Sequence, residues 1–276
     1  RNNDLVTAVE VMPSTNEQVD PPSDPPKEAH YDLKDPAGLA GFLIDSDIKL
    51  VRAEYLRSLL DADGRFPRRQ EAETTTFTDA TGASRSALVS HEEVQAWADE
   101  PKRAVICSIS HAWEAREHPD PCGHQLLQVV HHTALYVAAY FAEIWVFFDY
   151  VSLFQYLRES EAQQASFGLA MANMHVMYSH EMSLTLRVET LTPAERWAKA
   201  IDENEMITVF DAASKVVKRV LVQDLVHNPT PYQNRGWCIG EMEWSSDRQE
   251  TAQNQLIDIR PDTAGQRGWL ELLCQV

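Results

Sequence analysis

The sequence predicts an α/β protein built on a mostly parallel sheet flanked by helices. Three short apolar runs, Ala104–Ile109, Ile144–Phe148 and Met182–Val188, have the length of buried strands. Between them lie longer stretches with apolar residues three and four apart, Gln125–Phe141 and Gln163–Tyr178. Strands alternating with helices give a parallel sheet covered on both faces, because each parallel crossover has to travel back along the sheet.

Ahead of that sheet, residues 1–36 read as an extended arm. Five of the 14 prolines fall by position 26, among Asp, Ser and Glu, and such a composition offers too little apolar surface to offset the entropy of ordering. Residues 37–102 read as a helical extension. From Pro36 to Leu60 the apolar positions Leu39, Phe42, Leu43, Val51, Tyr55, Leu56, Leu59 and Leu60 keep a helical period, and Asp61-Ala62-Asp63-Gly64 ends it with turn chemistry. The polar, threonine-rich residues 65–86 read as loop, and Ser90 with Glu93 opens a short helix through Trp97. Residues 103–276 then form the α/β domain. Pro119, Pro121 and Gly123 punctuate its first crossover, Thr192-Pro193 opens a helix, Ser214–Val226 reads as helical or mixed, and a last helix begins at Gly236.

The 276 residues are 44% hydrophobic, enough for a substantial core, yet carry a net charge of −18. The first hundred hold 10 basic and 20 acidic side chains. That balance opposes nucleic acid and anionic lipid, and favours a partner with a basic face or a plain solvated surface. Cys107, Cys122, Cys238 and Cys274 are far apart and form no CxxC pair, which points to free thiols and a reducing compartment. The longest apolar stretch, Ala134–Ala142, is too short to span a bilayer. No basic-then-apolar signal segment opens the chain, and its start at Arg1 reads as a trimmed or partial sequence. A Gly-rich phosphate loop and a GxSxG elbow are both missing. His111, His118, Cys122 and His124 cluster within fourteen residues but match no established zinc spacing, so no metal or cofactor is expected.

Three strings sit where an α/β sheet presents its functional edge: Ser110-His111-Ala112-Trp113-Glu114, Asp149-Tyr150-Val151-Ser152-Leu153-Phe154-Gln155 and Arg235-Gly236-Trp237-Cys238-Ile239-Gly240-Glu241-Met242. Their order resembles the HET (heterokaryon-incompatibility) domain, a relative of the TIR domain. HET domains carry Ser-aromatic-x-Trp-Gly after a first strand, then Asp-x-x-Cys-Ile-x-Gln, and later Arg-Gly-Trp-Thr-x-x-Glu-Leu. Their Gln-x-x-Met-x-x-Ile-Tyr string before a strand corresponds to Met171, Met174 and Tyr178. The resemblance spans about residues 103–245. It departs from the family at Glu114, which stands for Gly, and at Ser152, which stands for Cys and inherits no thiol chemistry.

The resemblance implies a TIR/flavodoxin-like sheet, NAD or a related nucleotide as substrate, and Glu241 as the catalytic carboxylate. It also implies self-association, since TIR-type enzymes complete their site that way. Ser110, His111, Trp113, Asp149, Gln155, Arg235 and Trp237 are the matching ligand-binding positions. Each has a structural alternative. Glu241 could complement the helix dipole or pair with Arg235, Asp149 could cap a turn, Gln155 could close its loop, and Trp113 and Trp237 could be packing anchors. The corresponding alternative for the whole chain is a non-catalytic TIR-like interaction or scaffold subunit of a larger assembly.

Overall fold

The computed structural model describes residues 30–140, 142–248 and 254–257. The arm expected at residues 1–36 lies outside the described residues up to position 29, as does Cys274. The end of that stretch is folded. Tyr31 stacks edge-on against Phe42, Glu181 N donates to the Leu33 carbonyl, and His180 Nε2 meets the carbonyls of Asp32 and Asp35. Gly38 permits this approach, because a Cβ there would lie 2.2 Å from the Asp32 carbonyl oxygen.

The central sheet runs in the order β1 (Val51–Arg52), β5 (Glu143–Phe147), β4 (Ala104–His111), β6 (Ser183–Val188), β9 (Asn254–Leu256). β4 pairs in parallel with β5 and β6, β6 with β9, and only β1 at the edge is antiparallel. From β4 the chain crosses to β5 through α5 (His124–Tyr140). It returns past β4 to β6 through α6 (Asp149–Ser152), α7 (Glu161–Ala172) and α8 (His175–Ser179). Leaving the middle strand in two directions puts helices on both faces. On one, Leu126, Val129 and Val130 of α5 and Leu56 of α2 (Ala53–Asp61) pack with Cys107 and Ile109. On the other, Met174, Met177 and Tyr178 pack with Ile106 and Phe147, beside α1 (Pro36–Asp45) and α4 (His91–Asp99). The period of two along β4 decides which side chain meets which layer.

Several expectations are corrected. The helical period from Pro36 to Leu60 breaks at Asp47, whose φ is 45°, and Val51 sits in β1 opposite Val146 rather than on a helix. The extension therefore supplies a strand to the sheet. Residues 65–86 hold α3 (Arg69–Ala72) and a hairpin of β2 (Thr76–Thr78) and β3 (Ser84–Ser86), with Phe77 buried between exposed threonines. Gln163–Tyr178 is two helices, interrupted at Asn173, whose side chain bonds the Leu169 carbonyl. Ser214–Val226 is mixed, a strand followed by a single 3-10 turn at Val222–Asp224, with no α-helix. β7 (Met206–Asp211) and β8 (Val216–Leu221) form a hairpin whose turn contains Lys215 at φ 56°, and β-branched residues on both sides suit a pleated surface. α9 (Ala194–Asp202) precedes this hairpin and α10 (Gly236–Ser246) follows it.

Arg52 locks the sheet edge to the extension. Its buried guanidinium reaches Glu143 of β5 at 2.5 Å, Glu93 of α4 at 2.6 Å and the Ser86 carbonyl at 3.1 Å. Removing the cation leaves Glu93 without its guanidinium and Glu143 with Arg85 alone, at 2.9 Å. Arg52→Met is expected to lower unfolding free energy by about 2 kcal/mol, a value discounted for the exposure of both carboxylates. Urea denaturation measures it, and an unchanged midpoint would contradict the clamp.

Candidate functional site

β4 ends in Ser110 and His111, and alternation sends them to opposite faces of the sheet. Ser110 faces α10. Its Oγ donates to Glu241 Oε2 at 2.5 Å and lies 2.6 Å from the Tyr232 hydroxyl, which in turn reaches the Cys238 carbonyl at 3.3 Å. Hydroxyl hydrogens rotate, so this chain serves either charge state of Glu241. With the carboxylate ionised, protons point from Tyr232 through Ser110 to Glu241. With it protonated, they point the other way and end on the Cys238 carbonyl. Burial pushes the Glu241 carboxyl up to about 7, against the Ser110 hydrogen bond and the His111 charge, which favour ionisation.

Neither structural alternative expected for Glu241 holds. It stands in the second turn of α10, away from the free amides of the helix start. Arg235 is turned elsewhere: its guanidinium donates to the carbonyls of Thr230 at 2.8 Å, Asn228 at 3.0 Å and Trp113 at 2.5 Å. Arg235 thus ties the start of α10 to the loop after β4 and does not reach Glu241.

His111 faces the α5 layer, stacked on Phe148 with ring centroids 4.1 Å apart. Its Nε2 lies 3.0 Å from Asp149 Oδ1, and Trp113 Nε1 donates to Asp149 Oδ2 at 2.9 Å. The Tyr150 amide also donates to Asp149, which opens α6. Burial alone would lower the imidazole pKa, but the Asp149 carboxylate overrides it and holds His111 above its usual value. The same contacts hold Asp149 below the usual carboxylate range despite its burial. His111 Nδ1 is buried without a partner.

Between these two groups opens a cavity of about 310 Å³. Trp113, Phe147, Phe167, Met171, Met174 and Trp237 form most of its wall. Asp149, Gln155 and Glu241 bring polar atoms to it, with the Tyr178 ring beside them. Glu241 is 3% exposed, so what exposure it has opens on this space.

Of the residues singled out in the sequence, Trp113, Asp149, Gln155, Trp237 and Glu241 share the cavity wall. Ser110 and His111 stand directly behind Glu241 and Asp149. Arg235 is a clamp outside the wall. Gln155 donates its amide to the Asp149 and Leu153 carbonyls, closing its loop as well as lining the space. Trp237 is 43% exposed and meets Trp244 edge-on, which fits a rim better than a core anchor. Tyr178 and Tyr232 were missed as site residues. Tyr178 was legible as a member of a helical apolar pattern and of the HET-like string before the third strand, neither of which marks it for the site, and Tyr232 lies in the Pro-rich turn before α10 with no motif of its own. Glu114 is fully buried and spends its carboxylate on Gln125 Nε2, Thr192 N and Trp197 Nε1. His118 uses both ring nitrogens on the Phe66 carbonyl and the Asp120 amide. Cys107, Cys122 and Cys238 are free and buried, and burial pushes each thiol up to about 12.

Two measurements test this electrostatic arrangement. A carboxyl that keeps its proton to about pH 7 in the fold, but loses it near 4.5 in the unfolded chain, costs stability as pH rises between those values and adds no slope above them. Glu241→Gln mimics the protonated form. Its stability relative to wild type is expected to rise by up to ~3 kcal/mol between about pH 4.5 and pH 8, read from urea titrations at fixed pH. A pH-independent difference would show that Glu241 ionises normally in the fold. In Asp149→Asn the His111 imidazole loses the charge that offsets its burial, and its titration, followed by NMR, is expected to move to lower pH than in the wild type.

No protein-family model, curated protein or solved structure matches this chain, so the roles of these residues rest on their own geometry.

Proposed function

We propose that this chain is a HET/TIR-like module that hydrolyses the nicotinamide–ribose bond of NAD or a related nucleotide, with Glu241 as its catalytic carboxylate. The observation that carries the reading is a buried carboxyl group, hydrogen-bonded to Ser110, in the wall of an aromatic cavity at the carboxyl end of a parallel sheet, where burial pushes its pKa up to about 7. The strand order β5-β4-β6, with the middle strand first in sequence, supports a flavodoxin-like sheet, in which ligands bind where the chain departs from that strand to either side.

In the reaction, the C1′–N bond breaks and its electron pair passes to the pyridinium nitrogen, releasing neutral nicotinamide. Water adds to C1′ of the resulting oxocarbenium-like sugar and gives up a proton. Ionised Glu241 stabilises the positive sugar and takes that proton, a role suited to a group whose pKa lies near the working pH. Ser110 and Tyr232 orient the carboxylate by hydrogen bonds, and Trp113 and Trp237 offer ring faces to the base.

Purified chain, concentrated enough to self-associate, is expected to release nicotinamide from NAD. Glu241→Gln is expected to reduce that release by at least ~100-fold while the variant stays folded at pH 7. The near-complete burial of Glu241 and its bond from α10 to β4 favour a second reading, a non-catalytic interaction or scaffold subunit that keeps Glu241 to join these elements. Wild-type chain that releases no nicotinamide at any concentration would select that second reading.

A further inference from the structure

The chemistry of the cavity wall says more about its ligand than the cleavage reading requires. Among the described residues, the polar members of the wall are Asp149, Glu241 and Gln155, and no lysine or arginine is among them. The guanidinium groups nearby are not part of that wall. Arg235 is spent on three backbone carbonyls, and Arg158 stacks 3.5 Å over the Phe167 ring and bonds Gln164, its Nε unpartnered. A negative ligand group would find no counter-charge in the wall itself, whereas a flat cation would find aromatic residues and carboxylates together.

A second observation concerns the place where an α/β sheet usually holds a phosphate, the start of the helix after the first parallel strand. In this chain it is filled from within. Asp120 is fully buried, and its Oδ2 accepts the Leu126 amide at 2.8 Å at the start of the 17-residue α5. Glu114, also fully buried, adds a second negative group in the same loop. An incoming phosphate would have to displace one carboxylate and lie against another. The size of the cavity agrees: about 310 Å³ is at the small end of ligand sites, so the remainder of a dinucleotide would lie outside the wall.

We infer that the ligand held by this cavity is a positively charged aromatic N-riboside, and that any phosphate the substrate carries stays outside the wall. This rests on the reading of the site as an N-riboside-cleaving pocket and narrows it: the smallest sufficient substrate is a pyridinium nucleoside, and the phosphates of NAD contribute no binding. Glu241 and Asp149 supply the charge preference, and Trp113 and Trp237 the ring faces.

The test uses the wild-type chain and calorimetric titration with carbocyclic nicotinamide riboside, which keeps the pyridinium charge but cannot form the oxocarbenium ion. Its 5′-phosphate, its uncharged dihydropyridine form and choline serve as comparisons. The riboside is expected to bind, with affinity reduced about tenfold or more by adding the phosphate or by removing the ring charge, and choline is expected to bind more weakly still. Equal or tighter binding of the phosphate, of the uncharged ring or of choline would overturn the inference, as would failure of every pyridinium analogue to bind. Nicotinamide release from authentic riboside and from NAD, assayed alongside, separates the two claims. Riboside-selective binding without release from either compound would sustain the ligand class and remove the cleavage reading. Release from NAD together with tighter binding of the phosphorylated analogue would do the reverse.

Discussion

Four carboxylates, Glu114, Asp120, Asp149 and Glu241, surround the carboxyl end of β4, and satisfying them organises the architecture around that strand. A buried carboxylate without donors is costly, and Glu114, Asp149 and Glu241 collect them from different parts of the chain, while Asp120 takes the Leu126 amide on Oδ2 and leaves Oδ1 without a partner. Glu114 joins the loop after β4 to α5, to the turn before α9 and to Trp197 within it. Asp120 closes the start of α5. Asp149 gathers His111, Trp113 and its own helix, and Glu241 fastens α10 to Ser110. Segments far apart in sequence meet at one strand end because that is where the acceptors are.

The environments then set Asp120, Asp149 and Glu241 apart by charge state. Asp149 has an imidazole beside it and stays ionised, and the imidazole is charged more readily in return. Asp120 has burial and the neighbouring Glu114 against it and is pushed up to about 6. Glu241, buried among hydroxyls, goes up to about 7. Asp149 and Glu241 thus share a cavity wall but differ in how readily they ionise, and the difference comes from their neighbours. The reversible chain of hydroxyls through Ser110 and Tyr232 lets Glu241 pass between its two states without stranding a donor or an acceptor.

The same requirement explains the departures from the HET-like pattern. Glu114, where the resembling family has glycine, is a structural acceptor for Gln125, Thr192 and Trp197. Ser152, where a thiol would stand, bonds the Phe148 amide at 3.1 Å and holds the short α6 that presents Asp149. Arg235, the cation nearest Glu241 in the sequence, serves backbone carbonyls and leaves the cavity acidic.

Much of this was legible in the sequence. The apolar runs at 104–109, 144–148 and 182–188 determined three parallel strands, because short runs of that kind bury only inside a covered sheet, and motifs at their ends placed Trp113, Asp149 and Glu241 near one edge. Local signals were weaker elsewhere. Val51 follows a helical period, yet it lies in a strand, because the turn at Asp47 breaks the helix and an open edge of β5 accepts two residues. Val216 and Val217 could continue a mixed segment, but pairing with β7 makes them a hairpin. Tertiary structure alone decided which group partners Glu241, since a carboxylate beside an arginine in sequence is free to pair with it or with anything the fold brings closer. The fold brings Ser110 from 131 residues away to 2.5 Å and carries the Arg235 guanidinium to backbone carbonyls instead. Burial, which no single residue encodes, then sets the charge state on which the chemistry of Glu241 depends.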